Sequence, residues 1–383
     1  ATRKRKVTVR AKPYDSKNAV SVTKSGIMKL KGSKNFRYRI LCATLSGKPV
    51  IINYIRSDSD SPGINDSEAS FLQMIDTVSS GSSIAINETG TKLRYTPGVI
   101  SGGLDLKHDC PASRGIGYYL EPLLILGLFA KSEIEITFTG TTDAKSDICI
   151  DTLRNMTSYI PKYFGVEEKM EVKVLSRGLH PKGGGKVSVY IPMVKKALKS
   201  ISLLEPGKVK KFRGVSYVCK CSPQFANRMV TAARGILNKF IPDVRIHTDQ
   251  CKGKGGGLSP GYGISLTAET INGTYVSSQS IPNGPSNPED LGKACAKKLI
   301  DQISQQGCVD SFHQPMMVIL MALTPEDVSQ LRVGTLTKPA IGMLRLLQIF
   351  FGVTFMIKSD SKNKSVVLSC VGAGFQNFTR KRA

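Results

Sequence analysis

Acidic residues are scarce in this chain of 383 residues, and long apolar runs are absent. Asp and Glu together number 29 against 54 Lys and Arg, which leaves a formal charge of +25 and a pI near 9.7. A surface with that surplus attracts polyanions without reading their sequence. Nucleic acid is therefore the expected partner. No basic amphipathic helix with a bulky apolar face is visible, which argues against an anionic membrane. The longest apolar runs, 123–130 (broken by Gly127) and 316–323, fall far short of the roughly 20 residues of a membrane span. No apolar segment follows the basic N-terminus, so no secretory signal is expected. Cysteine supplies no framework either. The nine cysteines are odd in number and scattered, and Cys219-Lys220-Cys221 has no second pair to complete a zinc site. Reduced, mostly buried thiols are the expectation, and no metal or cofactor is assigned.

What is present is an ordinary core-forming composition, 40% hydrophobic and 22% charged. The length suits two domains, or one large domain carrying an insertion. The first 34 residues hold eleven Lys or Arg and one acid, Asp15. Arg3-Lys4-Arg5-Lys6 fits a nuclear-import signal or a nucleic-acid arm, and Arg380-Lys381-Arg382 closes the other end in the same style. Two alternating segments, beginning at Ile84 and Ile134, share the pattern I-x-I-x-x-T-G-T, a strand ending in a glycine turn. Helix-period segments accompany them: Phe71, Leu72, Met74, Ile75 and Val78 before the first, and 147–164 after the second. The recurrence predicts duplicated helix-and-strand modules in an α+β architecture.

Composition shifts after Ile191-Pro192. A Lys-rich stretch, 193–211, leads to a strand at 215–221 and a helix with Phe225, Met229, Ala233, Ile236, Leu237 and Phe240 on one face. A glycine-rich stretch and the strand 264–270 follow, and the segment 193–284 is expected to form a small inserted α/β domain. Asn287 and Pro288 then mark a helix start, with further helices expected at 310–323 and 339–351. The expected organisation is thus an arm over 1–30, a large discontinuous domain over 31–192 and 285–378, the insertion, and a basic tail over 379–383.

The most informative stretch is Arg177-Gly178-Leu179-His180-Pro181-Lys182-Gly183-Gly184-Gly185-Lys186, which lies between two strand-like segments. Glycines leave the backbone unshielded, so its N–H groups can turn toward an anion while Arg177, Lys182 and Lys186 supply countercharge. A glycine-rich hairpin with a basic rim accounts for the same residues. A second glycine-rich run, Lys252-Gly253-Lys254-Gly255-Gly256-Gly257, lacks the Gly-Lys-Ser/Thr ending of a P-loop and reads as a mobile basic loop. His108-Asp109-Cys110 superficially offers a base and a thiol. Residues adjacent in sequence seldom converge on one substrate, so it reads as a loop.

Three ordered motifs resemble the RNA 3′-terminal phosphate cyclases. Residues 177–186 resemble that family's R-G-x-x-P-x-G-G-G signature. Ile55-Arg56 with Ser61-Pro62-Gly63 resembles its I-R-x(5)-P-G element, and Pro97-Gly98-Val99-Ile100-Ser101-Gly102-Gly103 its P-G-x-x-x-G-G turn. The resemblance, over most of 31–378, implies a large domain of repeated units, each a four-stranded sheet with two helices, interrupted by a smaller α/β domain. Two departures bear on the chemistry. The cyclases adenylylate a histidine in a pattern like H-x-x-D-Q, whereas this chain has Asp310-Ser311-Phe312-His313-Gln314, with Asp310 at the nucleophile position. A carboxylate is a poor adenylyl acceptor in this chemistry. Where the cyclases carry an active-site glutamate in a G-E-G-G-G-Q segment, this chain has Leu30, while Arg37 falls on the arginine that follows.

Arg37, Arg56, Arg177, His180, Lys182, Gly183, Gly184, Gly185 and Lys186 are therefore the expected RNA-phosphate site, with Leu30 and Asp310 as degenerate catalytic positions. Gly117-Tyr118-Tyr119-Leu120-Glu121-Pro122-Leu123, Ser259-Pro260-Gly261-Tyr262-Gly263 and Gly307-Cys308-Val309-Asp310-Ser311 resemble the family's eukaryotic, cyclase-like branch. That resemblance implies a nucleolar factor in small-subunit pre-rRNA processing. Its implied partners are pre-rRNA, a small nucleolar ribonucleoprotein and a ribosome-biogenesis GTPase. Two alternatives stay open. One is a pre-rRNA endonuclease, for which the sequence offers no paired carboxylates; the other is a working cyclase using His313.

Overall fold

The computed structural model describes residues 21–22, 26–195, 197–282, 284, 286–360 and 364–377. The basic runs at Arg3–Lys6 and Arg380–Arg382 lie outside the described residues, as do most of the expected arm and all of the expected tail.

The chain first forms β1 (Ser21–Val22), β2 (Met28–Lys31), α1 (Phe36–Ser46), β3 (Val50–Asn53), α2 (Asp66–Val78), β4 (Ser79–Ser80), β5 (Ser83–Ile86) and β6 (Leu93–Thr96). The first sheet has the order β1-β2-β3-β6-β5. Asn65 caps α2 in a full capping box with Glu68. After β7 (Val99–Ile100), which pairs with β4, come β8 (Gly103–Asp109), α3 (Ile116–Gly127), β9 (Ile134–Gly140), α4 (Ile150–Thr157), α5 (Ile160–Tyr163), β10 (Glu171–Ser176) and β11 (Gly185–Ile191). Their sheet runs β10-β11-β9-β8. A third unit opens with β12 (Ser202–Leu203) and is then interrupted by β13 (Val209–Cys219), α6 (Gln224–Leu237), β14 (Val244–Cys251), β15 (Gly261–Thr270), β16 (Tyr275–Ser280) and α7 (Pro288–Ser304). It resumes with α8 (Gln314–Ala322), β17 (Val328–Val333), α9 (Lys338–Phe351), β18 (Met356–Asp360) and β19 (Ser365–Val371), in the sheet order β12-β17-β19-β18.

All three units share one wiring, strand–helix–strand–helix–strand–strand. In each, the first two strands are parallel and the remaining pairs antiparallel. A parallel pair needs a crossover, and a helix supplies it each time. The expected α+β fold of repeated units is therefore present. The two I-x-I-x-x-T-G-T segments do not mark equivalent strands, however. The first forms β5, the edge strand of its sheet, and the second forms β9, an interior strand. Alternation ending at a glycine describes many strands, and pairing order decides equivalence.

The apolar runs that were too short for a membrane lie in and beside α3 and α8, whose described residues are all buried and which pack on each other. They are the central helices of one core shared by the three units. No helix among the described residues is long and apolar enough to cross a membrane. A second core contains Phe212, Met229, Leu237, Leu266, Cys295 and Leu299. Cys295 and Leu299 belong to α7, which packs on α6, β15 and β16. The insertion expected over 193–284 is thus displaced: β12 pairs with β17 of the third unit, and α7 belongs with the inserted sheet. α6 covers β13 and β14 while α7 covers β15 and β16, so the two helices together bury that face of the inserted sheet.

Candidate functional site

β10 and β11 pair as an antiparallel hairpin, and residues 177–184 form its connection. Its glycines serve backbone packing. A Cβ on Gly178 would run into the Gly185 nitrogen and the Gly140 oxygen, and one on Gly185 into the Gly178 nitrogen. Gly183 and Gly184 hold φ of +63° and +80°, conformations that favour glycine. The N–H groups expected to face an anion are largely spent inside the protein. Arg177 N donates to Gly255 O at 3.0 Å, Gly178 N to Thr142 Oγ1 at 3.2 Å, Lys182 N to Ser259 Oγ at 3.0 Å and Gly183 N to Leu179 O at 2.9 Å. The second glycine-rich run is clamped onto the first. Leu258 N donates to Gly183 O at 3.0 Å, and Gly257 backs onto Arg177 and Gly178. Its glycines let two loops meet backbone to backbone, so the run is hydrogen-bonded to the hairpin on this side.

Arg177 departs furthest from its expected role. Its side chain is only 2% exposed and is enclosed by Asp151 at 2.7 Å, Asp249 at 2.7 Å and Asp143 at 3.5 Å. The guanidinium carbon lies 4.3 Å from the centroid of the Tyr217 ring. Burial works against this charge, but the surrounding carboxylates hold its pKa well above the ordinary arginine value. Burial and neighbouring Asp151 push the Asp143 carboxyl up, with Arg177 opposing them. A guanidinium facing three carboxylates has no donor turned to a phosphate. His180, Lys182 and Lys186 remain exposed at the hairpin, and neither lysine makes an ion pair among the described residues. Of the two readings of this stretch, the basic-rimmed hairpin describes its backbone.

The segment after β9 carries residues that sequence reasoning missed. Asp143, Asp147 and Asp151 recur every four residues in a chain poor in acids, and all three are buried. The spacing is visible in the sequence, but only the burial, which demands cationic partners, makes it informative. Asp143 and Asp151 take Arg177, while Asp147 takes Arg114 and accepts from Gly115 N at 2.9 Å. The paired carboxylates absent from the sequence pattern therefore exist in space, locked under one arginine. The same segment faces the inserted sheet. Cys149 N donates to Gln279 Oε1 at 2.9 Å, Gln279 Nε2 to Asp147 O at 2.8 Å, and Thr152 Oγ1 lies 2.9 Å from Ser265 Oγ.

Two residues before Gln279, on the same face of β16, Ser277 reaches Asp310. Asp310 is 1% exposed and fully engaged: Oδ2 accepts from Ser277 Oγ at 2.6 Å and Ser277 N at 3.1 Å. Oδ1 accepts from Phe312 N at 3.0 Å and His313 N at 3.1 Å and lies 2.8 Å from His313 Nδ1. Burial opposes the charge, yet His313 and these hydrogen bonds hold the carboxyl below the usual range. His313 is itself completely buried, and its Nε2 has no partner among the described residues. The histidine and aspartate of H-x-x-D-Q are present in exchanged order, as a pair that starts α8.

Leu30 points from β2 into the main core, where it packs as an apolar side chain. Arg37 is tied to Glu121 at 2.6 Å and to Tyr118 O at 2.9 Å, and it stacks on the rings of Tyr38 and Tyr118. Arg56, with φ of +48°, donates to Gly63 O at 2.9 Å and pairs with Glu68, so it braces the I-R-x(5)-P-G loop against α2. The P-G-x-x-x-G-G turn brings β7 onto β4. Arg37, Arg56 and Arg177 are thus each committed to a carboxylate, which corrects their expected place in an open phosphate site. His108 lies in β8 rather than a loop, buried 3.0 Å from Ser70 Oγ.

Comparison with known proteins agrees with the wiring. The family model described as RNA 3'-terminal phosphate cyclase matches residues 28–357. A mouse protein named RNA 3'-terminal phosphate cyclase-like protein is 45% identical over 361 residues, covering 91% of this chain and 96% of its own. A Dictyostelium discoideum protein named probable RNA 3'-terminal phosphate cyclase-like protein is 42% identical over 369 residues, with 92% and 99% covered. A Schizosaccharomyces pombe protein named rRNA processing protein rcl1 is 42% identical over 360 residues, with 93% and 98% covered. The repeated units, the insertion within the third and this breadth of similarity lead to one conclusion: the chain belongs to the RNA 3′-terminal phosphate cyclase family, close to its eukaryotic cyclase-like members.

Proposed function

We propose that this protein is a non-catalytic member of its family that binds RNA during small-subunit pre-rRNA processing. The observation that carries the reading is Asp310. At the position where a cyclase presents its adenylyl acceptor, this chain has a buried carboxylate whose two oxygens already accept from Ser277, Phe312 and His313. In-line attack needs reacting atoms within about 3–3.5 Å, and neither Asp310 nor the enclosed His313 meets solvent. Leu30 puts an apolar side chain, enclosed in the core, where the cyclases carry a second catalytic carboxylate. A relative named for rRNA processing supports the assignment to that pathway, and the +25 charge suits an RNA partner.

On this reading the exposed His180, Lys182 and Lys186 contribute phosphate contacts. The protein works in the nucleolus with a small nucleolar ribonucleoprotein and a ribosome-biogenesis GTPase. The test is incubation with labelled ATP and a 3′-phosphorylated RNA. No covalent adenylylation and no cyclised end are expected; labelling abolished by His313→Ala would overturn the reading. Affinity purification from nuclear extract should co-recover the GTPase and the guide small nucleolar RNA.

A further inference from the structure

A group of exposed cations without ion pairs among the described residues lies on the solvent face of the first sheet, a different sheet from that of the signature hairpin. In β2, Met28 and Leu30 enter the core, so Lys29 and Lys31 point out; in β6, Leu93 and Tyr95 are buried and Arg94 points out. The pairing register sets them in rows. Lys29 lies opposite Ile51, which lies opposite Arg94, and Lys31 lies opposite Asn53. Strands about 4.8 Å apart separate Lys29 from Arg94 by about 10 Å, within the joint reach of two long side chains. Lys92 adds a fourth exposed cation beside Arg94. Among the described residues of β2, β3, β5 and β6 no Asp or Glu shares the outward face, whose other residues include Ile51, Asn53, Ser83, Ala85 and Thr96. None of the four cations makes an ion pair among the described residues.

Beside these charges stands an exposed ring. Tyr54, directly after β3, is 63% exposed and has φ of +57°, an uncommon conformation for an aromatic residue. Lys31 Nζ sits 5.9 Å from its ring centroid. Ile55, next in sequence, is fully buried and fixes the position of Tyr54 on the surface. The opposite edge of the sheet is β1, paired to β2, and the residues before Ser21 carry seven Lys or Arg and a single acid. Positive charge is thus continuous in sequence with this face.

We propose that the solvent face of the first sheet is a single-stranded RNA platform, with Lys29, Lys31, Lys92 and Arg94 on phosphates and Tyr54 under a base. The proposal rests on the RNA-binding reading above. Cations without acids match a phosphate chain. An exposed aromatic among them selects unpaired bases, which alone have a free π-face. An acidic protein segment would use the cations but gain little from the ring.

The test is fluorescence anisotropy of the full chain with a single-stranded RNA oligomer, a duplex of equal length and poly-glutamate, over a range of KCl concentrations. Replacing Lys29, Lys31, Lys92 and Arg94 by Gln should lower the slope of log K against log salt by about 2–3, since each phosphate contact contributes about 0.7 for single strands. Tyr54→Ala should weaken single-strand binding at least about fivefold and duplex binding little, while Tyr54→Phe retains affinity. Thermal melting should be unchanged, because all five side chains are exposed. A steep wild-type salt slope that survives the fourfold replacement, but falls in Lys182→Gln with Lys186→Gln, would overturn the platform and leave RNA binding intact. Absence of any wild-type RNA binding would overturn both. Poly-glutamate binding that depends on the four cations, with RNA binding that does not, would replace RNA by an acidic partner.

Discussion

Replacing Arg177 by methionine separates a structural arginine from a phosphate ligand. Methionine keeps much of the side-chain volume and removes the charge. In the folded protein this leaves Asp143 and Asp151, 1% and 0% exposed, without their shared cation. Breaking a buried pair in this way costs about 3–5 kcal/mol. Asp249, with a side chain 43% exposed, can be rehydrated, so its loss adds only about 0–1 kcal/mol. Asp151 keeps Arg154 at 3.1 Å, which favours the lower end. The expected destabilisation is therefore about 3–5 kcal/mol, a large part of the roughly 5–15 kcal/mol that holds a domain folded. The assay is urea unfolding followed by circular dichroism, reported as midpoints because two cores need not unfold together. Adding Asp143→Asn and Asp151→Asn to Arg177→Met should recover much of the loss, since neutral amides need no cation. An unshifted midpoint in Arg177→Met, together with weakened RNA binding, would refute the reasoning and restore Arg177 as an anion ligand.

Gly178→Ala should destabilise the hairpin by about 1–3 kcal/mol or more, because its Cβ meets backbone that cannot yield. Gly235→Ala, in α6 with open space around it, should instead stabilise by up to about 1 kcal/mol, and thermal melts compare the two. Asp310 predicts a pH dependence. Its carboxyl is held below the usual range in the folded state, so its contribution is present above the ordinary carboxylate pKa and disappears as pH falls through the lowered folded value. Asp310→Asn should flatten that acid limb in a melting series and lower stability at neutral pH; an acid limb identical to wild type would count against the contribution of Asp310.

The arginines show why site residues were harder to read than the fold. Motif spacing identified Arg37, Arg56 and Arg177 as special, and each is. What spacing cannot carry is the partner: Glu121 is 84 residues from Arg37, and Asp249 is 72 from Arg177. A conspicuous arginine reads equally well as a phosphate ligand or as the counterion of a buried acid. Asp143, Asp147 and Asp151 were visible in the sequence as a four-residue repeat, and only burial makes them informative. Leu30 and Asp310 were legible as departures from the family pattern. The exchange of aspartate and histidine at α8 became a hydrogen-bonded pair only in three dimensions.

The sequence by itself determined the net charge of +25, the alternation and helical periods that build the units, and the motifs that disclose the family. These depend on residue type and short spacing, which a chain carries whether folded or not. Tertiary structure alone decided that α7 covers the inserted sheet, that β5 and β9 are not equivalent, and that the signature arginine faces carboxylates instead of solvent. Those outcomes are set by strand pairing and burial between residues far apart in the chain. A buried charge must find its counterion wherever the fold brings one.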